Sequence, residues 1–173
     1  MKSSIAGPGL AALLLTACSS MSGSGAPGAT AQLKPTQGNT ASATVTFQQM
    51  KAEVLVTVEA KGLTPGLHGF HIHEKGDCSA PDATSAGGHF NPTGQPHGDP
   101  HTATHHAGDI PMLEADAQGN ARLETRLDGL SIGSGPNDIV GRAVVIHAAP
   151  DDYRSQPAGN SGARVACGVI VAR

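Results

Sequence analysis

Apolar and polar residues alternate in steps of two over much of this chain. Asn120 to Leu127 is the cleanest case, with Ala121, Leu123, Thr125 and Leu127 on one side and Asn120, Arg122, Glu124 and Arg126 on the other. A period of two is what a strand buried on one face requires. Glu53 to Glu59 follows the same rule: Val54, Val56 and Val58 oppose Glu53, Thr57 and Glu59, interrupted by Leu55. Thr44 to Gln48, Gly141 to His147 and Val165 to Val171 read as further strands, set apart by clusters of Gly, Pro, Asn and Asp. No run of three helical turns keeps a 3.6-residue period. The pattern predicts an all-β sandwich or barrel.

Composition sharpens this picture in two ways. The chain has 173 residues, 2% aromatic and no Trp, so one core built from Val, Leu, Ile and Ala is expected. With 14% charged residues and a net charge of -3, it lacks the basic surface that a nucleic-acid partner would demand. The N-terminus reads as a leader: Lys2, the apolar run Leu10 to Leu15, and then LTAC, which has the form of a bacterial lipoprotein cleavage box. The apolar run is too short to span a bilayer. Residues 1–17 are therefore expected to be a lipoprotein signal peptide and Cys18 its lipidation site, an ordinary secretory leader being the alternative. Residues 18–38, rich in Ser, Gly, Ala, Thr and Pro, read as a flexible tether, and 39–173 as the functional domain.

Nine histidines are present, and most crowd into HGFHIHEKGDC, GGHFNP and PHGDPHTATHHAGD. On a strand, Phe70 and Ile72 point to one side, so His71 and His73 share the other. Two imidazoles placed in this way can share an ion.

In order and spacing, GFHIH, GGHFNP, HAGD, VVIH and GARVACGVI resemble the copper/zinc superoxide dismutases, in their bacterial envelope form. The resemblance spans about Thr40 to Arg173. It implies an eight-stranded Greek-key β-barrel, related to immunoglobulin-like sandwiches, with long metal-binding loops. It also implies one copper per subunit on His71, His73, His89 and His147, and one zinc on His89, His97, His106 and Asp109, with His89 shared. The donor types agree with this division. Three His and one Asp make a closed set suited to structural zinc, and four imidazoles suit copper with an axial direction left free. His105 is the alternative to His106 as a zinc ligand; otherwise His101 and His105 read as solvated loop residues. His68 reads as a hydrogen-bonded core residue. The resemblance places at Asp151 a carboxylate bonded to one histidine of each metal, with Asp152 as the alternative.

Assigning Cys18 to the leader leaves Cys78 and Cys167 as an even pair in an exported domain, either bridged or as two buried thiols. A bridge would contribute about 4 to 5 kcal/mol through the loop it closes. The resemblance implies catalytic roles for Arg164, which holds an anion beside copper, and for His89, which carries a proton. The expected reaction is dismutation of superoxide to dioxygen and hydrogen peroxide by copper cycling between Cu(II) and Cu(I), protecting the envelope from extracytoplasmic superoxide. The alternative is a non-catalytic periplasmic copper- and zinc-binding protein. A homodimer or a monomer is the expected assembly.

Overall fold

A computed structural model of the protein describes Met1 and residues 25–173. The expected leader, Cys18 and the first part of the expected tether lie outside the described residues. Eight antiparallel strands follow: β1 (Gly28–Pro35), β2 (Ser42–Gln49), β3 (Glu53–Lys61), β4 (Gly66–His73), β5 (Asp109–Ala115), β6 (Ala121–Asp128), β7 (Ala143–His147) and β8 (Arg164–Ala172). They close into one barrel in the order β1-β2-β3-β6-β5-β4-β7-β8. The jump from β3 to β6, with β4 crossing to lie between β5 and β7, is the Greek key.

The predicted alternation is visible in what is buried. Val54, Val56 and Val58 of β3 are fully buried and pair across to β6 through Val54↔Leu127, Val56↔Thr125 and Val58↔Leu123. Phe47, Phe70, Ile72, Ile110, Leu113, Ile146 and Ile170 fill the interior. An eight-stranded barrel leaves room for side chains and no channel.

The tether expected over residues 18–38 is corrected by β1. From Gly28 the chain is a barrel strand, pairing with β2 (Gly28↔Gln48 to Leu33↔Ala43) and with β8 (Ala29↔Ala172 to Pro35↔Ala166). Ala29, Ala31 and Leu33 face the core while Gln32 and Lys34 face solvent. Two of the three core-facing residues are alanines with small side chains, so the strand carries a faint hydrophobic signal.

β5 was likewise missing from the strands read in the sequence. It holds Pro111, which cannot donate to a ladder, and it meets β6 at the single pair Ala115↔Ala121. Its firm partner is β4, through Phe70↔Ile110 and His71↔Asp109.

Two long connections carry the chemistry. One runs from β4 to β5 over residues 74–108, the other from β7 to β8 over residues 148–163. The first holds only one short 3-10 turn, Thr84–Ala86, and connections of this length are usually functional. Both fold onto the outer face of β4, so His71 and His73 are 0% and 1% exposed although they point away from the barrel interior.

Candidate metal centre

β4 supplies His71 and His73, and β7 ends on His147. The long loop supplies His89, His97 and His106, and Asp109 opens β5. The loop is fastened to β4 by backbone bonds: Phe90 N–H donates to Ile72 O (2.8 Å), Ile72 N–H to Gly108 O (2.9 Å) and Gly108 N–H to Phe90 O (2.8 Å). His89 also forms an isolated antiparallel bridge with His73. A Cβ at Gly108 would collide with the Ile72 carbonyl, which is the physical reason for glycine in HAGD and for His106 being set in place.

Two clusters result. His71, His73, His89 and His147 present ligand atoms within 4.8 Å of one another, as do His89, His97, His106 and Asp109. All seven residues are buried. His105 is not in either cluster: its Nδ1–H donates to His106 O at 2.6 Å. His101 is exposed. His68 is a core residue, its ring nitrogens on His147 O (2.7 Å) and Thr64 O (2.8 Å).

Each ring nitrogen has a defined task. His73 Nδ1–H donates to Gly87 O (2.9 Å) and His147 Nδ1–H to Gly162 O (3.2 Å), so both turn Nε2 to the cluster, 3.4 Å apart. His71 reverses this, giving Nε2–H to Asp151 Oδ2 (2.6 Å). On the other side His97 Nε2–H donates to Asp151 Oδ1 (3.0 Å), while the Nδ1 atoms of His89 and His97 reach Asp109 Oδ1 at 2.8 and 3.1 Å. Among the described residues, the buried side-chain polar atoms left without a partner are His71 Nδ1 and His89 Nε2, both in the four-histidine cluster. Buried lone pairs of this kind cost free energy unless something accepts them, and a metal ion fits both. The partners on the far nitrogens fix tautomers as metal sites require.

Charge is distributed to match. Burial pushes His89 down to about 4, against a hydrogen bond to Asp109 that opposes it. Burial and the neighbouring His71 push His147 to about 3, and burial also lowers His73. These three are neutral donors at pH 7. Asp109 resists the upward push of burial because His106, His89 and His97 hydrogen-bond it, which holds it well below the carboxylate range. For His97, burial is outweighed by Asp109 and Asp151, and its protonation rises to about 9. Zinc bound to His97 Nδ1 would take the place of that proton.

Asp151, 4% exposed, thus bonds one histidine of each cluster. Asp152 instead caps its own turn, accepting from Arg154 N–H, Ser155 and Asn160. A side chain at Gly159, where φ is +63°, would overlap the Asp151 carboxylate. Arg164 is half-buried and gives its guanidinium to Ala83 O and Gly87 O, both at 2.7 Å. It lines a depression of about 330 Å³ with Thr36, Asn39, Asp82, Thr84 and Gly162. The Cys78–Cys167 disulfide forms, with Cα atoms 5.8 Å apart, and ties the Ala83–Gly87 segment to β8. The carbonyls of Gly87 and Gly162 were invisible to sequence reasoning, because a backbone acceptor has no residue type; the glycine pairs beside HFNP and in GNSG are the only trace.

A closed β-barrel with a four-histidine and a three-histidine, one-aspartate cluster sharing one imidazole defines a binuclear metalloprotein built for two different metals. The chain belongs to the copper/zinc superoxide dismutase family, whose model matches residues 41–170. It is 46% identical over 122 residues to copper–zinc superoxide dismutase 2 of Aquifex aeolicus, covering 68% of this chain and 71% of that protein. It is 43% identical over 145 residues to the copper–zinc superoxide dismutase of Onchocerca volvulus, covering 78% and 90%. To the extracellular enzyme of Brugia pahangi it is 43% identical over 136 residues, covering 73% and 67%. Among solved structures it is similar to the clock protein EA4, with a TM-score of 0.76 and 41% identity over 83% of this chain and 93% of that one. The four-histidine cluster is accordingly the copper site and the three-histidine, one-aspartate cluster the zinc site, one of each per subunit.

Proposed function

We propose that the protein removes superoxide in the cell envelope, converting two superoxide anions and two protons into dioxygen and hydrogen peroxide. The observation that carries the reading is His89, whose Nδ1 lies 2.8 Å from Asp109 Oδ1 while its Nε2 is buried and unpartnered on the four-histidine side. Copper bound there supplies the electron exchange between Cu(II) and Cu(I). His89 Nε2 holds the proton that the reduced substrate needs, and Nδ1 stays committed to the zinc side. Arg164 binds the anion: its charge is permanent, and two carbonyls fix its direction. Asp151 keeps His71 and His97 in their ligating tautomers.

The test is superoxide decay after pulse radiolysis of the metal-loaded full chain. Rapid copper-dependent decay is expected, abolished in His147→Ala and reduced in Arg164→Ala. Slow decay with copper bound would transfer the assignment to a metal carrier.

A reading of the compartment is supported by the leader-like N-terminus, by the disulfide, which persists where the medium is oxidising, and by the likeness to an extracellular enzyme. We assign the protein to the periplasm or envelope, anchored through lipid on Cys18. Cys18→Ser is expected to move it from the membrane to the soluble fraction; unchanged membrane association would remove the anchor. A homodimer is the assembly inferred from the family, checked by sedimentation equilibrium.

A further inference from the structure

Met112 lies on β5, three residues beyond the zinc ligand Asp109 and half-buried. Both ends of this residue touch the loop that carries Asp151. Its sulfur accepts the Asp151 backbone N–H at 3.2 Å. Its own N–H donates to the Tyr153 hydroxyl at 3.2 Å, an acceptor available because β5 pairs with β6 only at Ala115↔Ala121. Tyr153 N–H in turn donates to Asp151 Oδ1 at 2.7 Å. A thioether therefore supports the backbone of the one carboxylate that orients a histidine in each metal cluster. Nothing in the catalytic chemistry uses it.

We propose that Met112 is a modification site, oxidised to the sulfoxide by hydrogen peroxide, and that this oxidation loosens zinc by displacing Asp151. The source of peroxide rests on the dismutase reading above, in which it is the product. In the step, a sulfur lone pair attacks one peroxide oxygen. The S–O bond forms as the O–O bond breaks, sulfur loses two electrons, and the other oxygen leaves as water after taking up the proton that the sulfur-bound oxygen gives up.

The consequence is geometric. An oxygen added to the sulfur lone pair that accepts the Asp151 N–H has no space between sulfur and nitrogen, which are 3.2 Å apart, at an ordinary N–H···O distance of about 2.9 Å. Either the Asp151 backbone retreats or the side chain swings out and abandons the N–H. Both movements reach His97 through the 3.0 Å bond to Asp151 Oδ1. Loss of a partner of this kind lowers metal affinity by about 10- to 100-fold. Because methionine sulfoxide is reducible enzymatically, the change is reversible.

The experiment treats the full chain, loaded with copper and zinc, with hydrogen peroxide. Oxidation is then mapped by peptide mass and zinc release to a chromogenic chelator is timed. Met50, half-buried at the β2–β3 turn, is the internal reference for ordinary methionine oxidation. A zinc-loaded, copper-free sample and Met112→Leu run in parallel. We expect one added oxygen on Met112, zinc release about 10- to 100-fold faster in both wild-type samples, no acceleration by peroxide in Met112→Leu, and restoration by methionine sulfoxide reductase. The proposal fails if Met112 stays unoxidised while Met50 reacts, or if zinc release is unchanged after Met112 is oxidised. It also fails if Met112→Leu accelerates equally, or if acceleration needs copper, which would place the damage at the copper ligands. Peroxide is added from outside, so an inactive dismutase would leave these outcomes intact.

Discussion

Replacing Asp151 by Asn keeps the shape of the side chain and removes one acceptor, and the geometry says which metal suffers. Oδ1 accepts two N–H groups, from Tyr153 at 2.7 Å and His97 at 3.0 Å, whereas Oδ2 accepts only His71 Nε2–H at 2.6 Å. An Asn side chain will keep its oxygen where two donors meet and turn its NH₂ toward His71. Two donors then face each other, so His71 must move its proton to Nδ1, the nitrogen turned to the copper cluster. A hydrogen bond to a charged acceptor contributes about 1.5 to 3 kcal/mol, which corresponds to about 10- to 100-fold in copper affinity. His97 keeps an acceptor, now neutral, so zinc affinity should fall only about threefold, or roughly 0.6 kcal/mol. Competition against chelators of known affinity, measured for each metal on the full chain, decides the matter. Zinc weakened as much as copper, or both unchanged, would refute the orientation argument.

Three further outcomes are expected. Cys78→Ser with Cys167→Ser opens a loop of sequence separation 89, and metal-free protein should lose about 4 to 5 kcal/mol in urea unfolding; a loss under about 1 kcal/mol would contradict the chain-entropy account. In metal-free protein, His97 is raised to about 9, so its stabilisation is complete below about 6.5 and is lost as pH rises through 9. His89 and His147 are lowered to about 4 and 3, so theirs is present above about 6.5 and is lost as pH falls toward those values. The urea midpoint should peak near pH 6.5, roughly, and a monotonic profile would refute the charge assignments. Asp82 shares the depression with Arg164, and it repels an anionic substrate. Asp82→Asn should raise the second-order rate roughly twofold at low ionic strength, the gain shrinking with salt; no change would show that the carboxylate does not act on the approach.

The ligands were readable in the sequence because ligation demands a side-chain type at a set interval. His71 and His73 two apart on a strand, and His106 and Asp109 around a glycine that must clear the Ile72 carbonyl, leave little freedom. Asp151 was reached only through the resemblance, which places a carboxylate four residues beyond His147. What could not be read acts through backbone or through small size. β1 hides in alanines, β5 carries a proline that argues against a strand, and the carbonyls of Gly87 and Gly162 that set two histidine tautomers have no letter of their own.

The pairing of β1 with β8 joins the two ends of the domain, from Ala29↔Ala172 to Pro35↔Ala166. A chain emerging from its N-terminus therefore presents β1 first and gives it only β2 as a neighbour until the final residues arrive. Every metal ligand, and Asp151 with them, precedes Arg164, the first residue of β8. The histidines thus emerge while the barrel is still open along one seam. The last strand then brings Arg164 and Cys167 together, so the guanidinium arrives with the closure of the wall and the covalent lock that holds it. Order of synthesis and order of assembly are opposed at the first strand and coincide at the last.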